Sequence, residues 1–104
     1  MIYHKLVRDK IPQIIKENGS AVQFRVLSDP EYRTLLEAKL DEEVGEYHSD
    51  KTLEELADIL EVIYALAATA GCSREQLMDI YQRKRDARGG FSEKILLISV
   101  DESV

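Results

Sequence analysis

At 104 residues, with 14 Lys plus Arg against 20 Asp plus Glu, the chain carries a formal net charge of −6. That balance argues against general nucleic-acid binding through a basic surface and requires any anionic ligand to be met by a local cluster of cations. The length suits a single domain, 1–104, with a core of its own but small enough for a partner subunit to supply much of the burial. Cys72 is the single cysteine, so an internal disulfide and a zinc cluster are excluded and a reducing, cytoplasmic setting is expected. Lys5, Arg8, Asp9 and Lys10 are followed by no apolar run, and the longest uncharged stretch, 62–73, is too short to span a bilayer.

In chain order, KLVRDKIPQIIKENG places Pro12 in a first helical turn and Gly19 at a helix stop, which predicts a short helix over 11–18. The next segment, 21–27, alternates Val22, Phe24 and Val26 with Gln23 and Arg25, the period of a half-buried strand. A second helix opens with Asp29 as N-cap and Pro30 at its first position, and Leu35, Leu36, Leu40, Val44 and Tyr47 form its apolar stripe. A third begins at Thr52, with Glu55 in capping-box spacing, and ends at Gly71. It is apolar nearly all round beyond Glu61, so burial on several sides, against a symmetry mate, is expected. Ser73 and Gln76 open a fourth helix in another capping box, and Gly89 and Gly90 close it behind a basic end. KILLISV, 94–100, reads as a second strand. The expected fold is mainly α, an antiparallel helical bundle with a small two-stranded β addition at 21–27 and 94–100, paired together and resting on the helices.

The chemistry is concentrated in two carboxylate pairs, Glu43 with Glu46 and Glu55 with Asp58. Residues three apart on a helix differ by about 60° of rotation and about 4.5 Å of rise, so each pair lies on one face. Two such faces packed antiparallel make a four-carboxylate cage, and close anions repel unless a cation sits between them. Hard oxygen ligands favour Mg2+ or Mn2+ over zinc or copper. There are blander readings: Glu55 closing a capping box on Thr52, and Glu43 and Glu46 as solvated helix charges. Asp58 is harder to place that way, because it sits between Ala57 and Ile59 and needs a metal or an Arg.

Two basic groups could meet an anionic substrate. Lys84 and Arg88 are four apart on one helix face, with Arg83 and Arg85 beside them and a glycine pair beyond, an arrangement that suits a phosphate tail or simply complements the helix dipole. Lys5, Arg8 and Lys10 precede the first helix, and Arg8 with Asp9 could equally form a structural ion pair. His4 and His48 read as surface residues without a role, and Cys72 as a small, buried or half-buried thiol.

EEVGE and EELAD, the latter continued by ILEVIYALA, resemble the E-x-x-E then E-x-x-D signature of MazG-type members of the all-α NTP pyrophosphohydrolase superfamily. KLVRDKIPQII and KRDARGGF resemble the small MazG-like subgroup described as phosphoribosyl-ATP pyrophosphohydrolase-like, and together the likeness runs over about residues 3–98. It implies a helical dimer or tetramer, dependent on Mg2+ with Mn2+ as substitute, that cleaves a nucleoside triphosphate, canonical or non-canonical, to a monophosphate and pyrophosphate. By resemblance Glu43, Glu46, Glu55 and Asp58 are the metal ligands and catalytic residues. Lys84, Arg85, Arg88, Lys5 and Arg8 are the expected substrate contacts. Eight residues separate Glu46 from Glu55, a shorter interval than in the larger MazG proteins, and the two strands are additions to an all-α core. A non-catalytic oligomer that binds metal and nucleotide, and a phosphoribosyl-ATP pyrophosphohydrolase of histidine biosynthesis, are the alternative functions.

Overall fold

The computed structural model describes residues 4–102 and holds, among them, helices α1 (Ile11–Glu17), α2 (Asp29–Asp50), α3 (Leu53–Thr69) and α4 (Arg74–Arg88). All four of the expected helices form. α2 starts one residue earlier than Asp29 capping would allow. Ser28 is its N-cap: the Ser28 hydroxyl accepts from the Glu31 N–H at 3.4 Å, and the Glu31 carboxylate accepts from the Ser28 N–H at 3.2 Å. Ser28 wins because it alone has a Glu at N3 to complete the reciprocal pair. Arg25 adds two bonds to the same Glu31 carboxylate, at 2.6 and 3.2 Å.

α2 ends on Lys51, whose φ of 58° lies in the left-handed region and whose ammonium stands 5.3 Å from the Tyr47 ring centroid. The next residue, Thr52, caps α3 by accepting from the Glu55 N–H at 3.3 Å. This two-residue connection folds α3 back along α2, and Arg33 near the start of α2 donates to the Thr69 carbonyl at the end of α3, at 2.8 Å. The last carbonyls of α3 are thereby satisfied by a cation, where the helix dipole favours one. α4 opens with the expected Ser73 and Gln76 capping box and leaves α3 at 107°. It packs on α3 alone among the helices, partly through Tyr64, whose ring lies 4.5 Å from the Arg74 guanidinium.

The hydrophobic core is thin. Leu36 of α2 and Val62 of α3 are the buried apolar residues among those described, at 3% and 7% exposure. Val44, placed in the apolar stripe of α2, is exposed, and Leu53, Leu56, Leu60 and Ile63 of α3 are likewise uncovered. The chain measures 67 × 32 × 23 Å with a radius of gyration of 18.9 Å, against about 13 Å for a compact domain of this size.

The expected β addition is not seen: no strand occurs among the described residues, and both 21–27 and 94–100 lie outside regular structure. The reason is placement. One segment precedes α2 and the other follows α4, which has turned away from the hairpin, so the two never come alongside each other within one chain. Alternation reports which face a strand would bury, but a ladder also needs an adjacent edge.

Candidate metal centre

The α2–α3 hairpin brings the two acidic pairs together because its turn lies between them. Glu43, Glu55 and Asp58 each offer one oxygen, and these oxygens all lie within 4.8 Å of one another. Oxygens on opposite sides of an Mg2+ ion stand about 4.2 Å apart, so movements under about 1 Å would let all three share one divalent cation. Glu46 is exposed and outside that trio, yet close enough for its charge to bear on both Glu43 and Glu55. The sequence-expected ligands therefore divide into a convergent three and a flanking fourth.

Glu43 is 7% exposed, the one buried charged residue among those described. Its Oε1 lies 3.3 Å from Lys39 Nζ, and its Oε2 is buried with no hydrogen-bond partner; Glu55 Oε2 is orphaned in the same way. Burial pushes the Glu43 carboxyl above the ordinary carboxylate range, and Glu46 and Asp58 push in the same direction against the pull of Lys39. Burial also raises Glu55, helped by Glu46, Asp50, Asp58 and Glu43. Carboxylates crowded together with a buried, unpartnered oxygen on each of Glu43 and Glu55 are costly, and the cost falls when a cation enters. The fate of Glu55 also separates its two sequence readings: its N–H caps on Thr52, but its carboxylate does not return to the Thr52 N–H and joins the acidic cluster instead.

Cations from the N-terminal segment reach this cluster. Arg8 Nη2 donates to Asp58 Oδ1 at 2.6 Å, and Lys5 lies 3.3 Å from Glu42, which Lys39 also approaches at 3.4 Å. Burial acts to raise Glu42, but Lys5 and Lys39 outweigh it and hold the group below its usual value. So Asp58 takes an Arg here, and it is Arg8 reaching across 50 residues of chain and not its neighbour Asp9 that forms the pair.

Lys84, Arg85 and Arg88 are not brought to the carboxylates. They sit along α4, and none pairs with Glu43, Glu46, Glu55 or Asp58 among the described residues. The Arg85 guanidinium instead folds over Gly90, so closely that a Cβ there would collide with it. Lys39 is the site residue that sequence reasoning passed over. Its signal was available in the spacing, since Lys39 stands three and four residues before Glu42 and Glu43 on one helix. His4 and His48 are exposed and Cys72 is half-buried, as expected. Two surface hollows, one lined by Asp9, Pro12, Gln13, Lys16, Val22 and Phe24 and one by Pro30, Glu31, Thr34 and Leu35, touch none of the four carboxylates.

Comparison with known proteins adds one relative: an uncharacterized protein of Mycolicibacterium smegmatis is 50% identical over 48 residues, which is 46% of this chain and 49% of that protein. The chain thus spans about half the length of the relative it matches. No family model and no solved structure matches it. No single helix among the described residues is long and apolar enough to cross a membrane.

Proposed function

We propose that the chain is a metal-dependent nucleotide pyrophosphohydrolase, cleaving a nucleoside triphosphate to a monophosphate and pyrophosphate with Mg2+, or Mn2+ in its place. The observation that carries this reading is the pair of orphaned, buried oxygens on Glu43 and Glu55 beside Asp58, a hard-oxygen set that fits a divalent cation. Glu43, Glu55 and Asp58 would hold the metal, with Glu46 as the flanking fourth ligand. When bound, the metal neutralises the phosphate chain and acidifies the attacking water.

The remaining work falls to side chains of this protein. Arg8 and Lys5, at the rim of the cluster, supply the positive charge that an anionic substrate needs on approaching four carboxylates. Lys39 holds one Glu43 oxygen and so orients the other toward the trio. Glu46, flanking the trio, or Glu55 would take the proton of the attacking water. Lys84, Arg85 and Arg88 remain the proposed grip on the outer phosphates; their separation from the cluster within one chain means that a second copy would have to present them.

A second reading has its own observation. Arg8 already neutralises Asp58, as in a helical oligomer that binds metal and nucleotide without turning it over. Pyrophosphate release from canonical, deoxy and damaged triphosphates and from phosphoribosyl-ATP, with Mg2+ or Mn2+ and an Asp58→Asn control, separates the readings. Metal-dependent release that the control lacks supports the enzyme and ranks its substrates. Metal binding with silence across the panel selects the non-catalytic oligomer.

A further inference from the structure

The chain exposes 9481 Å2 of surface. A folded monomer of 11.9 kDa exposes about 5,900 Å2 by the scaling of surface with mass. The excess, about 3,500 Å2, is several times the ~800 Å2 per partner that a standard stable interface requires. Large apolar side chains are exposed along α3, on α4 and at Phe91, and in two runs outside the helices. Ile95, Leu96, Leu97 and Ile98 are each 76–88% exposed in the segment after α4, and Phe24 and Val26 are 69% and 89% exposed in the segment before α2.

The two segments differ in pattern. The first, KILLISV, is apolar at consecutive positions, as in a strand covered on both faces; the second alternates, as in a strand covered on one. Within one chain no backbone hydrogen bond joins them and neither forms a strand. A partner of other chemistry covering one of them would leave the other bare, whereas a second copy of this chain supplies both halves at once. A two-fold arrangement closes on itself, and each copy gives one arm and receives one. Pairing of the two arms with each other would leave Phe24 and Val26 exposed, so the arrangement that covers most is arm on receiver.

We propose that residues 94–100 of one copy pair as a β-strand with residues 22–26 of a second copy, and reciprocally, making an arm-exchanged homodimer. The two-strand signal in the sequence then has its partner in the other chain. Hydrogen bonds of the ladder set the register, and the apolar side chains of the arm are covered by the receiving copy.

The test uses the full chain. Sedimentation analysis measures its dissociation constant beside that of Ile98→Lys, with circular dichroism to verify that helix content is kept. Because Ile98 is solvent-exposed within one chain, the substitution is harmless to a monomer but weakens an exchanged dimer by at least about tenfold. Isotope-filtered nuclear Overhauser spectra on a mixture of labelled and unlabelled unaltered chains give a second readout that no substitution can disturb. Contacts between 22–26 of one chain and 94–100 of the other are expected. A chain that stays monomeric at high micromolar concentration, a dimer in which the arm touches some other segment, or equal dissociation constants for the two proteins would each overturn the proposal.

Discussion

The α2–α3 hairpin and the C-terminal part of the chain use their residues in opposite ways. The hairpin closes on itself through a two-residue turn, buries Leu36 and Val62, and crowds acidic groups until Lys39, Arg8 and Lys5 are drawn in to balance them. From α4 onward almost nothing is buried: Ile80 and Tyr81 are half exposed, and Phe91 is 98% exposed. One region buries what little core there is and crowds its charge; the other leaves its apolar side chains uncovered. A hairpin can thus bring acidic groups together locally while much of the apolar surface around it stays uncovered.

Substitutions at the hairpin should hit chemistry before fold. The largest effect is expected at Asp58→Asn, which removes a ligand charge and keeps the shape. Turnover should fall by about 1,000-fold or more, on the scale of losing a group that stabilises a transition state, with helix content unchanged by circular dichroism; a fully active variant would remove Asp58 from the site.

Metal loading comes next. Divalent cation at a hundredfold excess over its dissociation constant should stabilise the folded form by about 2.7 kcal/mol. Melting curves at one fixed protein concentration read this shift, and Glu43→Gln should lose most of it. Arg8→Ala isolates the competing internal cation. Arg8 and Asp58 are 57% and 38% exposed, so their pair contributes at most about 1 kcal/mol. Metal binding in calorimetry should tighten by no more than about fivefold, and a weakening would mean that Arg8 helps the metal instead of opposing it.

The pH dependence distinguishes the crowded acids from the capping acid. Glu43 and Glu55 hold their protons more tightly folded than unfolded, so their contribution is present below the ordinary value of 4.5 and is lost as pH rises through the raised folded value. Glu31, lowered to about 2 chiefly by its hydrogen bond from Arg25, contributes above 4.5 and is lost as pH falls through about 2. Metal-free protein should therefore lose stability from about pH 4.5 upward, and saturating Mg2+ should flatten that slope. The smallest effect is expected in the C-terminal part: Ser73→Ala removes the α4 cap, in which the hydroxyl accepts from the Gln76 N–H at 3.1 Å, and should cost about 1 kcal/mol in chemical denaturation.

The helices were legible because each carries local punctuation. Pro12, Thr52 and Ser73 with Gln76 act within one turn of themselves, so spacing places them, whereas the α2 cap fell on Ser28 with Glu31 and not on the expected Asp29. The grouping of Glu43, Glu55 and Asp58 was legible too, since a short turn between two acidic helix faces leaves few ways to fold. Other features depended on distance along the chain. That Arg8 crosses to Asp58, that Glu55 gives its N–H to a cap and its carboxylate to the cluster, and that Glu46 is left outside the trio are outcomes of how α2 settles on α3. The strands mark the boundary: pattern in 21–27 and 94–100 states a preference for burial, while pairing needs an edge that arrives from elsewhere. The sequence by itself determined the helices, their caps and the acidic faces, because those interactions span three or four residues. Only the tertiary structure decided which cations answer the carboxylates and which apolar residues stay uncovered, because those depend on where α4 and the N-terminal segment lie relative to the hairpin.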